Sequence, residues 1–183
     1  MQSRWHYWSA VALMFFGQQR PAIAQYRRAI EQDARFVHAW RNLAFVLAQR
    51  DEEAPAVDAF RTALALAPDD HSTRFNLAFV LHRFERYEPA IAEFEQVVKV
   101  APTHDRAWYG LGICLDQLGQ TERAMAAFKE AARLQYFNPH AGVHLALAYH
   151  KLGRHDDARA EYERVKSFDP KFANEISRAI SKA

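Results

Sequence analysis

Glycine is scarce in this chain, at six of 183 residues, and runs of β-branched residues are scarce with it. Ala, Leu, Arg, Glu and Gln fill the long stretches instead, so local preference points to helix throughout. A lone cysteine, Cys114, excludes an intramolecular disulfide and fits a reducing compartment. Neither sign of charge prevails: the formal net charge is +2 with a pI near 8.7, too mild for the clustered basic stripe of a nucleic-acid binder. The sequence also lacks a Gly-rich phosphate loop and a nucleophile elbow, and no apolar run is long enough to span a bilayer. What is present is half apolar and a quarter charged, the balance of a folded, soluble chain.

Residues 1–24 have some marks of a secretory signal. Arg4 precedes an apolar run from Trp8 to Phe16, and Ala22-Ile23-Ala24 resembles a small-residue cleavage site. Gln18, Gln19 and Arg20 make a poor approach to that site, and aromatics recur through the run at helical spacing. The stretch falls instead into register with a repeat that runs through the chain.

The repeat has a period of 34 residues. Ala22 leads to Ala56, Ala90, Ala124 and Ala158. Four residues after each comes an aromatic: Tyr26, Phe60, Phe94, Phe128 and Tyr162. Three further on stand Ala29, Ala63, Val97, Ala131 and Val165. Upstream, Ala10, Ala44, Ala78, Gly112 and Ala146 form another column, and Leu43, Leu77, Leu111 and Leu145 another. Trp40 and Trp108 share a position, and Pro68, Pro102 and Pro170 close three units. Small residues in one column let paired helices approach, while the aromatic column fills the space between neighbouring pairs. Gly17, Gly119 and Gly153 mark turns within pairs, and Pro21, Pro55 and Pro89 mark first turns of second helices.

Trp108-Tyr109-Gly110-Leu111-Gly112 with Ala124 and Phe128 closely resembles the unit of the tetratricopeptide repeat (TPR) family. The resemblance covers nearly the whole chain. It departs at His6 and Ser9, where Trp and Leu are typical, and at Tyr136, where Pro is typical. It implies an all-α, right-handed superhelical solenoid of antiparallel helix pairs. The expected units are 3–36 (degenerate), 37–70, 71–104, 105–138 and 139–172, with a capping helix over 173–183 whose Ile176, Ala179 and Ile180 face back, in one continuous domain.

The resemblance further implies a concave groove lined by the first helix of each pair, and a protein or peptide as partner. The groove candidates are Arg41, Asn42, Phe45, Phe75, Asn76, Phe79, Arg83, Arg106, Tyr109, Ile113, His144 and Lys151, with Tyr7, Trp8, His38, His82 and His140 on the same faces. Asn42 and Asn76, one repeat apart, suit the backbone of an extended peptide, since Asn both donates and accepts. Arg41, Asn76 and Arg106 fall at three of the five places of the carboxylate-clamp subfamily, while Phe45 and Gly110 replace the other two. Arg41, Arg83, Arg106 and Lys151 face only Asp116 in this count, so an acidic or acidic-hydrophobic peptide is the expected partner, bound more tightly once the His residues protonate near pH 6.

His140 and His144 have a spacing that can hold a metal, but no Glu completes a zincin-type motif. No catalytic residue, metal or cofactor is expected, and the chain reads as an adaptor or co-chaperone-like binding module rather than an enzyme. A structural alternative comes from the first helix, apolar nearly all round. Trp5, Trp8, Phe15 and Phe16 would there serve self-association into a homo-oligomeric scaffold. Neither nucleic acid nor membrane is an expected partner. Terse linkers suggest a bacterial, cytoplasmic protein, with a secreted or periplasmic location if residues 1–24 are a signal peptide.

Overall fold

A computed structural model describes residues 2–180, apart from the side chains of residues 175, 176, 179 and 180. The described residues form eleven helices and no strand. In chain order the five repeats contribute α1 (Gln2–Phe15) and α2 (Gln19–Gln32), α3 (Val37–Gln49) and α4 (Glu53–Leu66), α5 (His71–Arg83) and α6 (Tyr87–Val100), α7 (Asp105–Gln117) and α8 (Thr121–Leu134), and α9 (Pro139–Lys151) and α10 (His155–Lys166); α1 packs on α2, α3 on α4, α7 on α8 and α9 on α10. The last helix, α11 (Pro170–Ile180), begins at the third closing proline and packs on α9 and α10. Ile176, Ala179 and Ile180, expected to face back from it, have side chains outside the described residues.

The columns read from the sequence are the packing columns. Ala22, Ala56, Ala90, Ala124 and Ala158 are buried, as are Ala10, Ala44, Ala78, Gly112 and Ala146. Tyr26, Phe60, Phe94 and Phe128 are buried in α2, α4, α6 and α8, and Tyr162 of α10 is partly buried. Gly112 has a packing reason to be Gly: a Cβ there would lie 2.6 Å from the Phe128 ring. The prolines Pro21, Pro55 and Pro89 sit in the first turns of α2, α4 and α6, where an amide hydrogen has no helical acceptor. The turn inside every pair uses one left-handed residue at the same step: Gly17, Asp51, Glu85, Gly119 and Gly153, with φ between 60° and 71°.

The Trp column has a second task. Trp40 Nε1 donates to Ala34 O at 2.9 Å, Trp108 Nε1 to Pro102 O at 2.9 Å, and Arg74 Nη2 to Pro68 O at 3.1 Å. Each bond reaches back to the turn before its helix and fixes the entry of the chain. The fifth pair has Gly142 at this position, and the equivalent carbonyl, Tyr136 O, accepts instead from Arg164 of α10. Arg164 also pairs with Glu161 and lies over the rings of Tyr136 and Phe168, at 4.9 and 5.6 Å.

The chain divides into two compact units, residues 1–85 with α1–α5 and residues 86–183 with α6–α11. The division falls inside the third repeat, between its two helices.

Candidate functional site

In the first unit the exposed faces of α1, α3 and α5 carry the candidate residues. Phe45 and Phe79 are about half exposed, and Phe79 stacks with the partly buried Phe75 at 6.5 Å between ring centroids. Asn76 is partly exposed, and its side chain has no hydrogen-bond partner among the described residues. Asn42 differs: its Nδ2 donates to the hydroxyls of Tyr7 at 3.1 Å and Tyr26 at 3.5 Å. Phe60 stands where Tyr26 does one repeat earlier, so no hydroxyl serves Asn76 from that column. The Asn ladder therefore has one rung open to a peptide and one taken by the protein.

The cations are also engaged. Arg41 lies 3.6 Å from Asp70, which caps α5 by accepting from the Thr73 amide at 3.0 Å and the Thr73 hydroxyl at 2.6 Å. Burial alone would raise the Asp70 pKa; the Thr73 hydrogen bonds and Arg41 outweigh it and hold the carboxyl below its ordinary value. Arg83 donates to Ala48 O at 2.6 Å and to the Asp51 carboxylate. A cavity of about 510 Å³ opens beside α1 and α3. Tyr7, Trp8 and Phe36 form its apolar lining, and Arg4, Asp33 and His38 its charged and polar one. Tyr7 and Phe36 pack with centroids 5.0 Å apart.

In the second unit α7 and α9 carry the equivalent faces. Lys151 Nζ donates to both Asp116 oxygens, at 2.7 and 2.9 Å. His144 stacks on Phe128, centroids 5.1 Å apart at 23°, and meets the edge of Tyr109 at 5.7 Å. Burial pushes the His144 pKa below its ordinary value, and burial does the same to His82 in the first unit. Ile113 is partly buried, and Cys114 is fully buried with its thiol pushed up to about 12 by desolvation. Gly110 lies against Phe94, where a Cβ would come within 2.5 Å of the ring, so the clamp's missing side chain has no room there. A second cavity, of about 390 Å³, is lined by Asp105, Arg106, Tyr109, Gln135, Asn138 and His140.

Two expectations are corrected. The binding faces are not free positive surfaces, because Arg41, Arg83 and Lys151 hold Asp70, Asp51 and Asp116. Counting charges helix by helix missed Asp51 and Asp70, which lie on turns about one repeat away. The His residues are not uniformly poised to protonate near pH 6 either, since burial opposes it at His82 and His144. Arg4, Asp33 and Phe36 were missed as site residues. A signal was available for Arg4 alone, which lies at the same repeat position as Arg106.

Trp5, Trp8, Phe15 and Phe16 are 65%, 62%, 86% and 72% exposed. Among the described residues no three of His, Cys, Asp and Glu gather as metal ligands, and no helix is long and apolar enough to cross a membrane. His140 packs on Phe172 at 4.8 Å while His144 lies on Phe128.

A model of the tetratricopeptide repeat matches residues 9–71, 75–139 and 117–171, most of the chain. The chain belongs to the tetratricopeptide repeat family. Among solved TPR structures it is similar to MamA 41-end from Desulfovibrio magneticus RS-1, with 21% identity and a TM-score of 0.85 over 92% of this chain and 96% of that one. Another MamA crystal structure shares 17% identity with a TM-score of 0.86, covering 94% of each chain. YrrB, described as a TPR protein with an unusual peptide-binding site, shares 19% identity with a TM-score of 0.82, covering 94% of this chain and 90% of its own. No curated protein matches the sequence. At these identities the neighbours establish the TPR solenoid fold and no more, and the site rests on the residues above.

Proposed function

We propose that this TPR chain is a protein-interaction module that holds an extended segment of a partner protein on the exposed faces of its first helices. The observation that carries the proposal is the patch of Phe45, Phe75 and Phe79 with Asn76 beside it. Exposed and stacked rings offer apolar surface, and an amide with no side-chain hydrogen bond among the described residues can both donate to and accept from a peptide backbone. The favoured segment is acidic-hydrophobic. Its carboxylates would be drawn to Arg4, His38, Arg106 and His140, which line the two cavities.

The test compares wild type with a Phe45→Ala, Asn76→Ala, Phe79→Ala variant in affinity capture. None of these side chains is buried, so the fold should survive, which circular dichroism would check. Loss of a partner from the variant alone is the expected result. Capture of the same partners by both proteins would remove the first-helix faces as the binding site.

A second reading, a self-associating scaffold, is favoured by what α1 leaves uncovered. Trp5 stands in the column of Ala39, Thr73, Ala107 and Ala141, all buried. Trp8 stands in the column of Asn42, Gly110 and His144, which meet Tyr26, Phe94 and Phe128 of the preceding second helix. The first helix thus turns outward the face that later first helices bury.

A further inference from the structure

The two cavities are the same site built twice. Stepping Arg4, Tyr7 and His38 forward by three repeats gives Arg106, Tyr109 and His140, and each triplet lines its own unit's cavity. At the junctions between, the columns do not repeat this set: Ser72 takes the place of the Arg or His, and Arg41 and Phe75 take the place of the Tyr. The chemistry therefore recurs at the first and fourth repeats and is absent from the second and third.

What the two sites share fixes what both can bind. The Arg guanidinium offers a planar fork that matches a carboxylate bidentately. His contributes a ring N–H, and Tyr contributes a ring against which an apolar group can lie. The carboxylates of the linings are not shared: Asp33 lines the first cavity, where Gln135 is its counterpart in the second, and Asp105 lines the second, where Ser3 is its counterpart in the first. One oxygen of Asp33 already accepts from the Arg35 amide at 3.0 Å. The cavities, at about 510 and 390 Å³, are large enough for one or two peptide side chains and lie in the range of small-ligand sites.

With the first-helix faces taken, as above, as the binding faces, we propose that each unit has one equivalent site for a carboxylate carried beside an aromatic or aliphatic side chain. The chain accordingly takes two such groups. The guanidinium of Arg4 or Arg106 receives the carboxylate, His38 or His140 adds a hydrogen bond, and the ring of Tyr7 or Tyr109 receives the apolar neighbour.

The experiment is an NMR titration of the whole chain that follows the ring resonances of Tyr7, His38, Tyr109 and His140. Two probes separate the possible sources of the carboxylate. N-acetyl-phenylalanyl-glutamic acid amide has only a side-chain carboxylate, and N-acetyl-phenylalanine has only a terminal one. N-acetyl-phenylalanyl-glutamine amide is the uncharged control. The expected result is a response of both ring sets to at least one charged probe, with two molecules bound per chain and affinities within about threefold. The tighter charged probe names the source. Arg4→Ala should abolish the response at Tyr7 and His38 alone, and Arg106→Ala that at Tyr109 and His140 alone, each with at least a tenfold loss of affinity. The proposal is overturned by an equal response to the control, by responses that survive both Arg substitutions, or by no response at either ring set. Phe45, Asn76 and Phe79 line neither cavity. Failure here with a partner still lost from the Phe45, Asn76, Phe79 variant would therefore strike the paired sites and leave the binding face standing.

Discussion

Asn42, Asn76, Gly110 and His144 occupy one column, and what each can do is set by the ring of the preceding second helix. A Tyr26 hydroxyl gives Asn42 a partner, Phe60 brings no hydroxyl to Asn76, Phe94 leaves no space for a side chain at 110, and Phe128 offers His144 a stacking face. Stacking has an electrostatic cost for His144. Burial disfavours its charged form, Asp116 opposes that effect in part, and His140 and Lys151 add to it, so the folded-state pKa lies below the ordinary value. As pH falls, the unfolded chain therefore takes up this proton first. The contribution of neutral His144 is complete above the unfolded pKa of about 6.5 and is lost as pH falls towards the lower folded value. His82 acts with the same sign through its own burial. The melting temperature should fall from pH 7.5 to pH 5.5 by less in a His144→Phe variant than in wild type. Equal falls would mean that His144 is not held neutral by its site.

At the scale of the elements, the turn inside each pair asks for a left-handed residue, and only three of the five turns supply the residue suited to it. Gly17, Gly119 and Gly153 announce their turns in the sequence; Asp51 and Glu85 do not, although both adopt φ of 60°. A Cβ at the three glycines would meet nothing within 4 Å, so the position is open and its cost lies in the backbone alone. That cost is roughly 1–2 kcal/mol for an L-residue, partly offset by the greater freedom that glycine loses on folding. Glu85→Gly should therefore stabilise the chain by about 0.5–1 kcal/mol in urea unfolding. A destabilised variant would show that the Glu85 side chain contributes more than its backbone strain costs. Asp51 is the poorer test, because its carboxylate also holds Arg83. The same turn residues explain where sequence reading fell short. The helices and packing columns were legible because each column has an identical partner column one repeat away. Asp51, Asp70 and Arg164 act at single places: two neutralise cations of a neighbouring helix, and one stands in for the side chain missing at Gly142. A repeat consensus carries no trace of such local substitutions.

For the molecule as a whole, the first helix poses the remaining question, because repetition should have made it resemble α3, α5, α7 and α9. Instead, Trp5 stands where those helices have Ala39, Thr73, Ala107 and Ala141, so an ordinary second helix could not approach α1 as closely. A partner for this face must offer hollows for rings, and α1 itself has one at the exposed Ala12. Trp5, Trp8, Ala12 and Phe15 follow the alternating spacing of three and four that lines one helix face. In an antiparallel pair of α1 helices from two copies, Trp8 of each would lie over Ala12 of the other, and Trp5 against Phe15. Such a two-fold contact is self-complementary, and α1 carries no acidic residue and a single Arg to repel its copy. Aromatic side chains bury some 150–250 Å² each, so these three rings, 65%, 62% and 86% exposed, offer about 400 Å² per copy, or about 800 Å² in the pair. That lies below the roughly 1,200 Å² of a standard specific interface, and it predicts a weak, transient dimer rather than an obligate one. Sedimentation equilibrium from micromolar to hundreds of micromolar chain should show a monomer–dimer equilibrium, shifted to monomer by Trp8→Ala, with Ala12→Arg as a second variant that adds like charge to the hollow instead of deleting a ring. A mass that stays monomeric throughout the range, or a dimer that neither substitution weakens, would leave the α1 face to a different protein, and the scaffold reading would fall with it.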